Sequence, residues 1–133
     1  MPDSAIRDGS HFAGIRVLVA EDEPLLLMLL SEMLADLGCL VTGSATHLAQ
    51  AMRVATVENV DVAILDVNLG GMDIGPLIDV LQTRAVPVVL ATGYDAREIT
   101  KRFPRPALLP KPYNLESLRR ALELALAAKP DKN

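Results

Sequence analysis

Five short, largely apolar runs, separated by segments of helical character, constrain this chain more than any other feature. They are Ile15–Ala20, Cys39–Thr42, Val60–Leu65, Val86–Ala91 and Pro106–Leu109. A strand with one wetted face alternates apolar and polar residues, whereas these runs are nearly continuous, which predicts strands covered on both faces. The intervening segments carry helix signals. Pro24 suits a first helical turn, an apolar face through Leu25, Met28, Leu29, Met33, Leu34 and Leu37 follows, and Gly38 stops it. A weaker helix is predicted over Thr46–Ala55. Another follows the Gly70-Gly71 loop, from Gly75 or Pro76 to Arg84. A short polar helix is predicted over Asp95–Arg102, and a last one over Leu115–Ala128, capped by Asn114. Strand and helix alternate five times, the pattern of an α/β fold with a doubly wound five-stranded parallel sheet and five helices.

With 133 residues, half of them hydrophobic, the chain can bury one core without disulfides or a structural metal. One domain is expected over residues 15–128, with a flexible leader at 1–14 and a polar tail at 129–133. Thirteen basic against seventeen acidic residues leave a net charge of −4, which argues against nucleic acid and anionic membranes as partners. The single cysteine, Cys39, excludes an internal disulfide and a cysteine-based zinc site, and fits a reducing compartment. Leu25–Leu30, the longest apolar run, is too short to span a bilayer. A cytoplasmic location is the expectation.

In such sheets ligands gather at the carboxyl ends of the strands, where strand order reverses. Glu21, Asp22 and Glu23 follow the first strand and Asp66 ends the third; Thr92 follows the fourth and Lys111 the fifth. Any one acidic residue there serves as well for a helix cap or a dipole partner. Carboxylates gathered on one rim repel one another unless a cation sits among them, and Mg²⁺ accepts such ligands. A Lys point charge and a Thr hydroxyl beside them make a socket for a tetrahedral anion, the equipment of phosphoryl transfer.

On these residues the chain resembles the receiver domain of two-component response regulators, CheY-like, from about Ile15 to Ala128. The resemblance implies the flavodoxin-like strand order 2-1-3-4-5. It makes Asp66 the phosphoacceptor and Lys111 its partner for the phosphoryl group. It also gives Mg²⁺ as cofactor, ligated by the Asp22 and Asp66 carboxylates and the Asn68 carbonyl, with Glu21 acting through water. Thr92 would bind a phosphoryl oxygen, and the bond before Pro112 would be cis. The implied partners are a sensor histidine kinase or a histidine phosphotransfer protein, and a downstream protein target, unless the domain acts as a phosphate sink for the kinase. Turnover of a separate substrate is not implied.

Two positions depart from the family pattern. Leu108 stands where strand five usually carries an aromatic switch. Ala91-Thr92-Gly93-Tyr94 is similar to a subgroup of stand-alone receivers with a Phe-Ala-Thr-Gly-x-Tyr-like signature, with Leu90 in place of the Phe. Gly93 would free the backbone after Thr92, and Tyr94 would take over the switch. Two other readings compete: a phosphorylation-independent pseudo-receiver, and a haloacid-dehalogenase-type phosphatase, whose second Asp is here Asn68. His11 and His47 lack a second ligand nearby. Cys39, Met28, Met33, Met52 and Tyr113 read as packing, and Lys101, Arg102 and Arg105 as a solvated basic cluster.

Overall fold

The computed structural model describes residues 12–93, 103 and 107–128. Strands β1 (Arg16–Ala20), β2 (Leu40–Ala45), β3 (Val62–Asp66), β4 (Val88–Thr92) and β5 (Ala107–Pro110) form one parallel sheet in the order β2-β1-β3-β4-β5. Four α-helices accompany them among the described residues: α1 (Pro24–Asp36), α2 (Leu48–Val57), α3 (Gly75–Thr83) and α4 (Leu115–Ala127). This is the doubly wound, flavodoxin-like arrangement, reversing direction between β1 and β3. The expected helix at 95–102, Tyr94, the basic cluster, His11 and most of the leader and tail lie outside the described residues.

Side chains of the central strands divide by parity between two apolar layers. Val17, Val19 and Ile64 pack with Leu30 and Leu34 of α1 and Leu118 and Leu122 of α4. Leu18, Ala20 and Leu65 pack with Ala51 and Ala55 of α2 and Leu77 and Leu81 of α3. Each such leucine contributes about 1.5–3 kcal/mol by leaving water, so the middle of the sheet is the least deformable part of the fold.

The apolar stripe of α1 differs from the sequence expectation. Leu25, Met28 and Leu29 are exposed, Leu25 at 75%, while Leu30, Met33, Leu34 and Leu37 are buried and Leu26 and Leu27 half-buried. Six consecutive apolar residues leave a helix free to bury either side, and contact with β1 and β2 selects the stripe through Leu26, Leu30, Met33 and Leu37. β2 also runs further than expected, to Ala45: the register shifts by one residue between Val17 and Leu18, and Gly43 and Ser44 then pair with Leu18 and Val19. Gly43 is needed for packing: a Cβ there would lie 2.2 Å from Val54 Cγ1 of α2.

Local caps fix the helix starts. His47 Nδ1 accepts the Gln50 N–H at 3.3 Å, so α2 begins at Leu48 rather than Thr46. Asn114 accepts from the Ser117 N–H at 2.8 Å, and the Ser117 hydroxyl accepts the Asn114 N–H at 3.4 Å, a reciprocal box at the start of α4. At the amino-terminal edge of the sheet, Arg16 grips both Asp61 carboxylate oxygens, at 3.0 and 2.9 Å.

Candidate functional site at the carboxyl edge of the sheet

Parallel pairing brings the ends of β1, β3, β4 and β5 to one edge, and backbone bonds continue the ladders beyond them. The Glu21 N–H donates to the Ala45 carbonyl at 2.9 Å, Val67 to Ala91 at 3.0 Å and Lys111 to Thr92 at 3.1 Å. Asp66 and Thr92 are the last residues of β3 and β4, so their side chains are set by rigid strands rather than loops. Glu21, Asp66 and Thr92 are the buried polar residues of the described chain, at 0, 4 and 6% exposure. A cleft of about 420 Å³ opens above them, lined by Asp22, Glu23, Asp66, Asn68, Thr92 and Lys111 among others.

The charges are held by specific bonds. Asp66 Oδ1 accepts the Asn68 N–H at 3.0 Å, and Asp66 Oδ2 pairs with Lys111 Nζ at 3.2 Å. Lys111 also reaches Glu21 Oε1 at 3.6 Å. The Lys111–Pro112 peptide is cis. Asp22 Oδ2 accepts the Gly70 N–H at 3.0 Å, which draws the loop after β3 against the acidic pair; Gly70 and Gly71 meet it with positive φ, 58° and 75°. Burial pushes the Glu21 carboxyl above its ordinary range, against the lowering effect of the Tyr113 hydroxyl, and Asp66 adds to the rise. For Asp22 burial also acts upward, but the Gly70 amide, and hydrogen bonds from the Asp66 and Glu21 carboxyls while these still carry a proton, outweigh it and hold the group low. Burial works against the Lys111 ammonium, yet Asp66 and Glu21 more than offset it and raise its pKa.

Glu21, Asp22 and Asp66 each offer a carboxylate oxygen within 4.8 Å of the others. An all-oxygen, anionic donor set of this spacing suits a hard divalent cation, and the cleft leaves room for its waters. Among the described residues one ammonium, that of Lys111, stands against these three carboxylates and does not neutralise them.

Of the expected switch residues, Thr92, Gly93 and Leu108 fall within the described part of the chain. Leu108 and Phe103 pack, half-buried, against the layer that contains Leu65 and Leu90. Gly93 is exposed and is not among the glycines with positive φ, so the backbone freedom expected of it is not used in this conformation. Two contributors escape a motif-based reading: the Gly70 amide, and Tyr113, whose hydroxyl donates to Glu21 Oε1 at 2.5 Å. The signal for Tyr113 was a phenol placed directly after Lys-Pro in an otherwise apolar setting, since a buried hydroxyl needs a partner. Among the described residues no helix is long and apolar enough to cross a membrane.

Comparison with known proteins places the chain in one family. Residues 17–123 match the response regulator receiver domain. The chain is 34% identical over 116 residues to the transcriptional regulatory protein PdtaR of Mycobacterium tuberculosis, covering 84% of this chain and 57% of that one. It is 32% identical over 128 residues to the phyllosphere-induced regulator PhyR of Methylorubrum extorquens, covering 93% and 48%. The chain thus spans about half the length of these curated relatives. The solution structure of SdrG from Sphingomonas melonis Fr1 superposes with a TM-score of 0.74 at 36% identity, covering 85% of this chain and 97% of that one.

Proposed function

The chain belongs to the response regulator receiver family of two-component signalling, and on that premise we propose that it accepts a phosphoryl group from a phosphohistidine onto Asp66. The observation that carries this reading is Asp66 itself: a 4%-exposed carboxylate at the floor of the cleft, paired with Lys111 at 3.2 Å. An Asp66 oxygen attacks the phosphorus, the P–N bond breaks, and the histidine nitrogen leaves with the electron pair, giving an acyl phosphate. Asn68 N–H and Lys111 orient the nucleophile before the reaction. As the phosphoryl group arrives, Lys111 and the Thr92 hydroxyl supply donors for its oxygens. Glu21, Asp22 and Asp66, with the Asn68 carbonyl, would hold Mg²⁺, which supplies positive charge against the anionic oxygens.

The new charge biases a two-state surface through Thr92 and the segment after it, Gly93 and Tyr94, with Leu108 as a passive packing partner. The signal passes to another protein, and the donor is a sensor histidine kinase or a histidine phosphotransfer protein. The domain catalyses its own phosphorylation and hydrolysis and turns over no separate substrate. Intact-mass measurement with phosphoramidate and Mg²⁺ tests the reading. One phosphoryl group is expected on the wild-type chain, none without Mg²⁺ and none on Asp66→Asn. Equal labelling of Asp66→Asn overturns the site, and an unlabelled wild type points to a binding module that works without phosphorylation.

A further inference from the structure

Tyr113 lies outside the set of strand-end acids, Thr and Lys, yet its contacts tie two members of that set together. The residue follows the cis Lys111–Pro112 bond and is 7% exposed. Its hydroxyl donates to Glu21 Oε1 at 2.5 Å, while the Glu23 N–H donates to the other oxygen, Oε2, at 3.2 Å. Its ring lies beside the ammonium of Lys111, with Nζ 5.9 Å from the centroid, within range of a cation–π attraction. A side chain needed only to fill the core would do so as phenylalanine, because burying a hydroxyl is unfavourable unless it is paired. The partner chosen here is Glu21, a fully buried carboxylate of the acidic cluster.

We propose that Tyr113 is a positioning residue for the cation site: its hydroxyl fixes the Glu21 carboxylate, and its ring steadies the Lys111 ammonium. The proposal rests on the metal-dependent phosphoryl-acceptor reading above. A glutamate has one more rotatable bond than an aspartate, so its carboxylate needs an outside clamp to keep one orientation. With one lone pair of each oxygen taken by Tyr113 and by the Glu23 amide, rotation about the last bond is blocked. The carboxylate is then held in one orientation beside Asp22 and Asp66, and binding a cation requires no reordering of this side chain.

Two substitutions separate the hydroxyl from the ring. Tyr113→Phe keeps the ring and removes the donor; Tyr113→Leu removes both. Mg²⁺ binding to the donor-free protein is measured by calorimetry, alongside melting in EDTA and phosphoramidate labelling across a Mg²⁺ titration. Tyr113→Phe is expected to weaken Mg²⁺ binding about tenfold, as loss of a partner that orients a metal ligand does. Its labelling rate returns to the wild-type value once Mg²⁺ saturates. Tyr113→Leu remains slower even at saturation, because Lys111 has lost its support. A Tyr113→Phe protein that melts lower in EDTA but binds Mg²⁺ with wild-type affinity overturns the proposal, whatever the leucine variant does. If the wild type itself binds no Mg²⁺ and takes no label, the functional reading falls and this proposal with it.

Discussion

Removing the charge of Asp66 should stabilise the metal-free protein. Asp66→Asn keeps the shape of the side chain and an acceptor for the Asn68 N–H, so the change is almost purely electrostatic. Asp66 faces Glu21 and Asp22 at 4.8 Å or less, each pair repelling by at least about 3.5 kcal/mol at an effective dielectric constant near 20. Against this stands, among the described residues, one attraction, to Lys111 Nζ at 3.2 Å, of about 5 kcal/mol on the same scale. Repulsion removed therefore exceeds attraction lost by about 2 kcal/mol, which solvent around the half-exposed Asp22 trims to about 1–2 kcal/mol. For a domain of this length that is an increase in Tm of about 3–8 °C. The assay is thermal denaturation followed by circular dichroism at neutral pH in EDTA, then with added Mg²⁺. At ten times its dissociation constant Mg²⁺ should stabilise the wild type by about 1.4 kcal/mol and Asp66→Asn by much less, closing the gap between them. An Asp66→Asn protein that melts at or below the wild type in EDTA would refute the reasoning, because the Lys111 pair would then outweigh the carboxylate repulsion.

Further outcomes follow from the site and from the packing around it. The Glu21 carboxyl titrates higher in the folded protein than its ordinary 4.5, so the folded state keeps this proton to higher pH than the unfolded chain does; metal-free stability should therefore fall as pH rises from about 4.5 through the raised value, a slope that Glu21→Gln flattens in pH-dependent urea melts. Asp22, held low, acts in a separate window, its contribution being lost only as pH falls below the ordinary 3.8. Cys39 is buried with its thiol pushed up to about 11, so a thiol reagent at pH 8 should label it only after denaturation, and rapid labelling of the native protein would contradict the packing under α1. Gly43→Ala, whose Cβ would sit 2.2 Å from Val54 Cγ1, should cost about 1–3 kcal/mol in urea denaturation, and Val54→Ala in the same chain should recover part of it; an unchanged midpoint would disprove the seating of α2 on β2.

The fold class, and which residues meet at the carboxyl edge of the sheet, were legible in the sequence, and the reason is geometric. A nearly continuous apolar strand has to be covered on both faces, so successive strands joined by helices run parallel, and parallel strands deliver all their carboxyl ends to one edge. Once the runs ending at Ala20, Leu65, Ala91 and Leu109 are recognised, Glu21, Asp66, Thr92 and Lys111 come to the same rim whatever fills the rest of the molecule. Which face of α1 is buried could not be decided that way, because Leu25–Leu30 offers apolar side chains around most of the helix and only contact with the sheet selects among them. Nor could the bonds that orient the acidic pair. Gly70 reaches Asp22 across 48 residues, and Tyr113 reaches Glu21 across 92. Periodicity is a property of neighbours along the chain, whereas the partner of a buried hydroxyl or a loop amide is whatever group the packed elements leave within about 3 Å of it, and that is known only when the helices have been laid on the sheet.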